Sequence, residues 1–370
     1  MKEKYWVAFS SIEEIDSEFT EKLYKHFGDI KDAFEASAVE LHKVEGIPRK
    51  KIDRFIELRN KVNIDKAYDE VLKRGINILT YEDKRYPYML KNTYNPLMVI
   101  YYKGDIFSCN LEKTLAVVGS RRFSHNAKES LKKIMSGLMD TDICIVSGLA
   151  AGADTAAHRF AIDNHLKTIG VIASGFDFIY PVSNKSLYEE IINGNGAVIT
   201  EYYPTFEPLR FRFPQRNRIV SGLSYGTLVA EAALKSGALI TANLTLEQGR
   251  ELMCIPGLIT NPNTEGIYKL IKTGASIITE SEDVLNSLGW MMPQQKTIFE
   301  DNSEVDSIEE KNNLTIDEKK ILYTIDIEPK SFDEIQKSTG LSVDNLLMNL
   351  TALELKGELE QTLGDRYQKR

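Results

Sequence analysis

The sequence holds only three cysteines in 370 residues, Cys109, Cys144 and Cys254, and none falls in a CxxC pair. That excludes a disulfide framework and a cysteine-built zinc site, and it fits a reducing compartment. The five histidines form neither HExxH nor any cluster with metal-ligand spacing, so no metal or other cofactor is expected. No apolar run approaches the roughly 20 residues that cross a bilayer. The opening MKEKYWVAFSSIEEID lacks the apolar core and small-residue cleavage site of a secretory signal. The expectation is a cytoplasmic chain, without membrane contact, that begins near Met1. Neither GxGxxG nor GxxxxGKS occurs, which removes the best warrant for a dinucleotide oxidoreductase or a P-loop ATPase. Positive charge is short as well: 46 Lys and Arg against 54 Asp and Glu give a formal net charge of −8. A whole-surface polyanion binder is thereby excluded, and any phosphate would be held by a local patch.

What is present is 42% hydrophobic and 27% charged, the balance of a globular protein long enough for two or three domains. Residues 1–68 read as a helical domain, with apolar positions three and four apart in IEEIDSEFTEKLYKHF and IDRFIELRNKV. Between these, Gly46 flanked by Val44 and Ile47, with Pro48 opening the next helix, has the form of a helix-hairpin-helix or SAM-like turn. Such a turn either meets DNA phosphates or serves as a plain interaction module. Residues 69–290 alternate short apolar runs with helical segments: LAVVG, DICIVSG, TIGVIASG, GAVITE, GTLVAEA, ELMCIPG and ASIIT. Runs apolar throughout are strands buried on both faces, so the fold class is α/β, a Rossmann-like doubly wound, mostly parallel sheet. Residues 291–313 are polar and acidic and read as a linker. Residues 314–370 read as three helices and a hairpin, a winged helix, with Ser331 and Ser342 as N-caps and Gly340 and Gly357 as stops. Its recognition helix carries Asp344, Glu354 and only Lys356, which equips it poorly for a major groove.

Ligands of open parallel sheets bind beyond the carboxyl ends of the strands. After LAVV come Gly119, Ser120, Arg121 and Arg122; after DICIV comes SGLAAGADTAAH, where Gly148 and Gly152 flank a turn opening a helix. Both have the make-up of phosphate cradles, with glycine for close approach, hydroxyl and guanidinium donors, and free helix amides. His158 and Asp154, behind the second loop, read as packing and capping residues. After GAVITE comes RFRFPQRNRIVSGL, with Arg210, Arg212, Arg216 and Arg218 interleaved with Phe211 and Phe213, and Glu207 the only nearby acid in the segment. Aromatics among cations suit a single-stranded polynucleotide, whose phosphates meet guanidinium groups while bases stack on rings. Arg216 and Arg218 share a face if the chain is extended there and diverge if a helix begins at Gln215.

The motifs AVVGSRRFS, SGLAAGADTAAH and GFDFIYPVSNKSL, followed by the run from Phe211 to Gly257, closely resemble the DNA-processing protein A family, DprA or Smf. The resemblance implies a Rossmann-like core that forms a homodimer, binds single-stranded DNA without marked sequence preference and promotes loading of the RecA recombinase during DNA uptake and natural transformation. Carried over by motif, Gly119, Ser120, Arg121 and Gly148 would hold phosphate. Lys185 would add a phosphate contact, and Arg210, Arg216 and Arg218 would form the basic wall. Phe213 would stack on or wedge against a base, and Asn217 would order the loop or bond a base or sugar. His125, Asn126 and Ala127 stand where members often have a Tyr-Gly pair, and Ala153 where a larger aliphatic is common. No catalytic residue is expected. The competing enzymatic reading takes GTLVAEA as the GTxxE element of a nucleotide phosphoribohydrolase, with Glu231 assisting glycosidic cleavage, and a third reading is an adaptor working through the winged tail.

Overall fold

The computed structural model describes residues 2–139, 141–290, 315–325, 330–356, 358–362 and 366–369. The strands β1 (Asn77–Thr80), β2 (Val99–Gly104), β3 (Thr114–Val118), β4 (Cys144–Ser147), β5 (Thr168–Val171), β6 (Gly196–Thr200), β7 (Gly226–Val229), β8 (Glu251–Cys254) and β9 (Ser276–Ile277) form a single sheet, ordered β1-β2-β6-β5-β4-β3-β7-β8-β9. The pairs from β6 through to β9 are parallel, whereas β1 with β2 and β2 with β6 are antiparallel. Six of the seven apolar runs singled out in the sequence contain a strand of this sheet, and LAVVG covers all of β3 but Thr114. The edge pair β1 and β2 was not anticipated, because only Leu79 of the four β1 residues is buried and so short a strand shows no period.

Alternation along the strands builds two helical layers. Leu115 and Val117 of β3 pack with Leu131, Ile134, Ala157 and Phe160 from the helices His125–Ser136 and Ala153–Asp163. Ala116 and Val118 pack with Ile219, Val220, Ala238 and Ala242 from the helices Arg212–Gly222 and Ala238–Glu247. From β3 the chain steps outward through β4, β5 and β6, then returns to the other side of β3 as β7. β3 is therefore the topological switch point, where loops to either side diverge and leave a crevice beyond the strand's carboxyl end.

Residues Met1–Gln294 form one compact unit and Gln295–Arg370 a second. Within the first, the amino-terminal helices close around an aromatic cluster in which Phe9 stacks on Phe55 at 5.2 Å and meets Phe34 edge-on at 5.1 Å. This apolar cluster continues into Tyr101, Val198 and Tyr203 of the sheet region. The hairpin between the helices Ala38–Leu41 and Arg49–Arg59 turns through Gly46 at φ +74°, a left-handed conformation suited to glycine. The second unit has the order helix, short strand, two helices and two strands, with Ile321, Ile335, Leu346, Leu350 and Leu359 at its centre. Ser331 and Ser342 cap their helices and Gly340 ends one at φ +68°. The residues 291–313 read as a linker, and Gly357, lie outside the described residues.

Phe55 is fully buried among Phe9, Phe19 and Phe34. Phe55→Ala is expected to cost about 3–5 kcal/mol through lost burial and the cavity left behind. Urea unfolding followed by tryptophan fluorescence checks this through Trp6, which lies in the same cluster.

Candidate nucleic-acid interface

The loops after β3, β4 and β7 converge at the switch point on an open groove of about 780 Å³, walled on one side by the start of the helix Arg212–Gly222. The first loop brings Gly119, Ser120, Arg121 and Arg122 to the groove, and the second brings Gly148, Ala150 and Asp154. Arg210, Phe213, Arg216 and Asn217 come from the arginine-rich stretch, and Ser236, Gly237, Ala238, Ile240 and Thr241 add further lining. The two glycine loops touch. The Ala153 amide donates to the Ser120 carbonyl at 3.1 Å, and Gly152, at φ +83°, leaves no room for a Cβ against the Ser120 and Arg121 carbonyls. A Cβ on Gly119 would lie 2.7 Å from that of Ala153. The small Ala153 fits this contact.

Arg216 forms the floor. It is only 4% exposed, and its Nη1 donates to the Val171 carbonyl at 2.6 Å, while its Nε has no partner. The Asp154 carboxylate reaches the same point beneath Gly148, where any Cβ would strike both side chains. Asp154 accepts from the Ala150 amide at 3.3 Å, thereby ordering the glycine turn. Burial raises the Asp154 carboxyl above its ordinary range, with Arg216 opposing the rise, and burial lowers Arg216. His158 lies deeper. Thr168 spends its hydroxyl proton on the Ile145 carbonyl at 2.8 Å, so the 2.7 Å contact with His158 makes Nδ1 the donor and leaves Nε2 bare. Burial, and then the nearby Arg216 charge, press the His158 pKa down to about 3. It is a neutral packing residue.

The rim carries the available charge. Arg121 is exposed, its guanidinium carbon 5.6 Å from the centre of the Phe213 ring, and Phe213 meets Tyr180 edge-on at 5.5 Å. Arg210 is exposed beside them. Of the ten residues assigned to the site from sequence, eight line this groove: Gly119, Ser120, Arg121, Gly148, Arg210, Phe213, Arg216 and Asn217. Two do not. Arg218 lies two positions beyond Arg216 on a helix, hence about 200° around it. It faces a separate cleft, donating to the Asn95 carbonyl and pairing with Glu201, both at 2.6 Å. Lys185 is exposed at the start of the helix Lys185–Glu190, away from the groove lining. Arg212 also turns from the groove, pairing with Glu13 over the Tyr202 ring. Sequence reasoning missed Tyr180, whose place in the motif GFDFIYPVSNKSL was its only signal.

Glu231 is fully buried and lies outside the groove lining. Its Oε2 accepts from the Ser124 amide at 3.1 Å, tying the end of β7 to the cap of the helix His125–Ser136. Among the described residues no group of three or more His, Cys, Asp or Glu side chains is placed to hold a metal, and no helix is long and apolar enough to cross a membrane.

Comparison with known proteins gives one family. The family model of DNA recombination-mediator protein A matches residues 77–289, and that of the DprA winged helix domain matches residues 309–365. Protein Smf of Synechocystis sp. is 31% identical over 395 aligned positions, covering 100% of this chain and 99% of that protein. The crystal structure of DNA processing protein A from Streptococcus pneumoniae superposes with a TM-score of 0.68 at 34% identity, covering 77% of this chain and 96% of that one. DNA processing protein A from Helicobacter pylori, a structure described for its single-stranded DNA binding mode, superposes with a TM-score of 0.51 at 28% identity, covering 58% and 95%.

The neutral state of His158 gives a pH test. Its folded pKa of about 3 lies below the ordinary 6.5, so the unfolded chain binds more protons between those values. The stability tied to His158 is complete above pH 6.5 and is lost as pH falls toward 3. His158→Gln removes this dependence, so the gap in thermal midpoint between wild type and variant is expected to narrow from pH 7 to pH 4.5. A gap that widens would contradict the assignment.

Proposed function

The chain belongs to the DNA recombination-mediator protein A family, DprA or Smf, and from that premise we propose that its groove binds single-stranded DNA without marked sequence preference. The bound strand is then handed to RecA in DNA uptake and recombination, in the cytoplasm. The observation that carries the reading is the rim row of Arg121, Phe213 and Tyr180 standing over two glycine loops that close on each other. Guanidinium groups and loop amides take phosphate, and ring faces take bases of any identity, so neither contact reads a base edge. The single-stranded DNA binding described for the Helicobacter pylori protein supports this use of the groove. The family's description as a recombination mediator supports RecA as partner. We also keep the division into a helical region 1–68, a core 69–290, a linker 291–313 and a winged helix 314–370 as the working organisation.

The protein acts as a binder and not as an enzyme. The carboxylate that a phosphoribohydrolase would use, Glu231, is fully buried and engaged by the Ser124 amide.

A homodimer through the core has its own support. Leu234, Leu258 and Ile259 are 54%, 61% and 82% exposed in the loops beyond β7 and β8. Large exposed apolar side chains in loops at one end of a sheet suit an association surface. A second copy is the occupant that the family resemblance implies.

Fluorescence anisotropy with a thymine oligonucleotide at two salt concentrations tests the groove. The wild-type protein is expected to bind at micromolar affinity or tighter. Arg121→Ala and Arg210→Ala would each remove about 0.7 from the salt slope. Phe213→Ala would cost about 1–3 kcal/mol, or roughly 5- to 150-fold in affinity. Unchanged affinity and slope in all three variants would reject the site. Sedimentation at micromolar concentration tests the dimer: the wild type should sediment as two copies and Ile259→Asp as one, and a monomeric wild type would reject it.

A further inference from the structure

The groove makes use of Arg121 and Arg210 but leaves a row of cations beside it unaccounted for. Arg122 is exposed at the groove's lip, and the helix His125–Ser136 departs from that lip. Lys128 and Lys132 are exposed on this helix. Four residues apart, they share one face and are separated by about 6 Å along the axis. His125 lies on the same face, whereas Lys133 is turned about 100° from Lys132.

These cations have no partners among the described residues. Some lysines elsewhere are neutralised by an acid one turn away along a helix, as Lys22 is by Glu18, Lys25 by Glu21 and Lys31 by Glu35. On the helix His125–Ser136, Glu129 stands four residues before Lys133, yet among the described residues the side chains of Arg122, Lys128, Lys132 and Lys133 make no ion pair or hydrogen bond of their own. In a chain of net charge −8, uncompensated cations in line with a groove lip are a local positive surface.

We propose that single-stranded DNA leaving the groove past Arg122 runs along the His125, Lys128 and Lys132 face of this helix, with successive phosphates meeting the two lysines. The inference rests on the groove's binding single-stranded DNA and extends that site beyond the pocket. Lysine is a flexible point charge and reads no base, so the track adds affinity without sequence preference. It also makes affinity depend on strand length, because a short strand fills the groove and never reaches Lys128.

Anisotropy with thymine oligonucleotides of about 6 and about 20 nucleotides tests the track, since the first lies near the short end of single-strand site sizes of about 4–16 nucleotides and the second exceeds the long end. The double variant Lys128→Ala plus Lys132→Ala should leave the short strand's affinity within about twofold. It should weaken the long strand, with a salt slope shallower by about 1.4 for two lost phosphate contacts, equal to roughly sevenfold between 50 and 200 mM salt. Lys133→Ala, with the same charge removed from the other flank, should change neither length. Equal weakening of both lengths, no weakening of the long strand, or an equal effect from Lys133→Ala would overturn the track while leaving the groove in place. Failure of the wild-type protein to bind either length would instead overturn the groove reading itself. All three lysines are exposed, and unchanged thermal midpoints in the variants exclude unfolding as the cause.

Discussion

A guanidinium buried beneath a glycine organises this protein's candidate site. Arg216 lies under Gly148, bonded to the Val171 carbonyl, with the Asp154 carboxylate at the same point. The Asp154 carboxylate, at the start of its helix, lies near enough for its charge to favour the buried guanidinium, and it also orders the second glycine turn. Gly148 must lack a side chain because the pair occupies its space. Gly152 and Gly119 must be small because the two loops close on each other above. The buried side chains therefore account for the glycine at 148, and the contact between the loops accounts for those at 119 and 152.

The same pair decides which charges are offered to a ligand. Arg216 is committed to the floor, so the rim guanidinium groups of Arg121 and Arg210 carry the charge that solvent and phosphate can reach. Arg212 and Arg218 serve a different end: they pair with Glu13 and Glu201 and line the cleft between the amino-terminal helices and the sheet. Four arginines that look equivalent on paper thus divide into rim, floor and two internal fastenings. An acidic protein can hold a polyanion at one edge because Arg121 and Arg210 stand exposed there without an acidic partner among the described residues.

The sheet was legible because a strand buried on both faces has to be apolar throughout, and seven such runs announced it. The glycine loops were legible because a ligand site at the end of a parallel strand needs close backbone approach, which few residues permit. β1 escaped notice because a four-residue edge strand with one buried residue leaves no period to find. Tyr180 escaped because an aromatic residue in a loop has no signature until it stands against Phe213. Lys185 shares a motif with the site yet lies off the groove, since proximity in sequence to a site loop does not bring a side chain to it.

By itself the sequence determined the kind of surface: a local concentration of arginine and phenylalanine beside two glycine turns, in an otherwise acidic α/β chain. It determined this because composition and backbone freedom are properties of residues, independent of where a chain turns. Only the tertiary structure decided which arginines face the groove. Helical phase turns Arg216 and Arg218 about 200° apart, and the acids that claim Arg212 and Arg218 come from distant segments, Glu13 from the amino-terminal helices and Glu201 from the end of β6. Charge availability is settled by neighbours in space, and those neighbours exist only once the chain has folded.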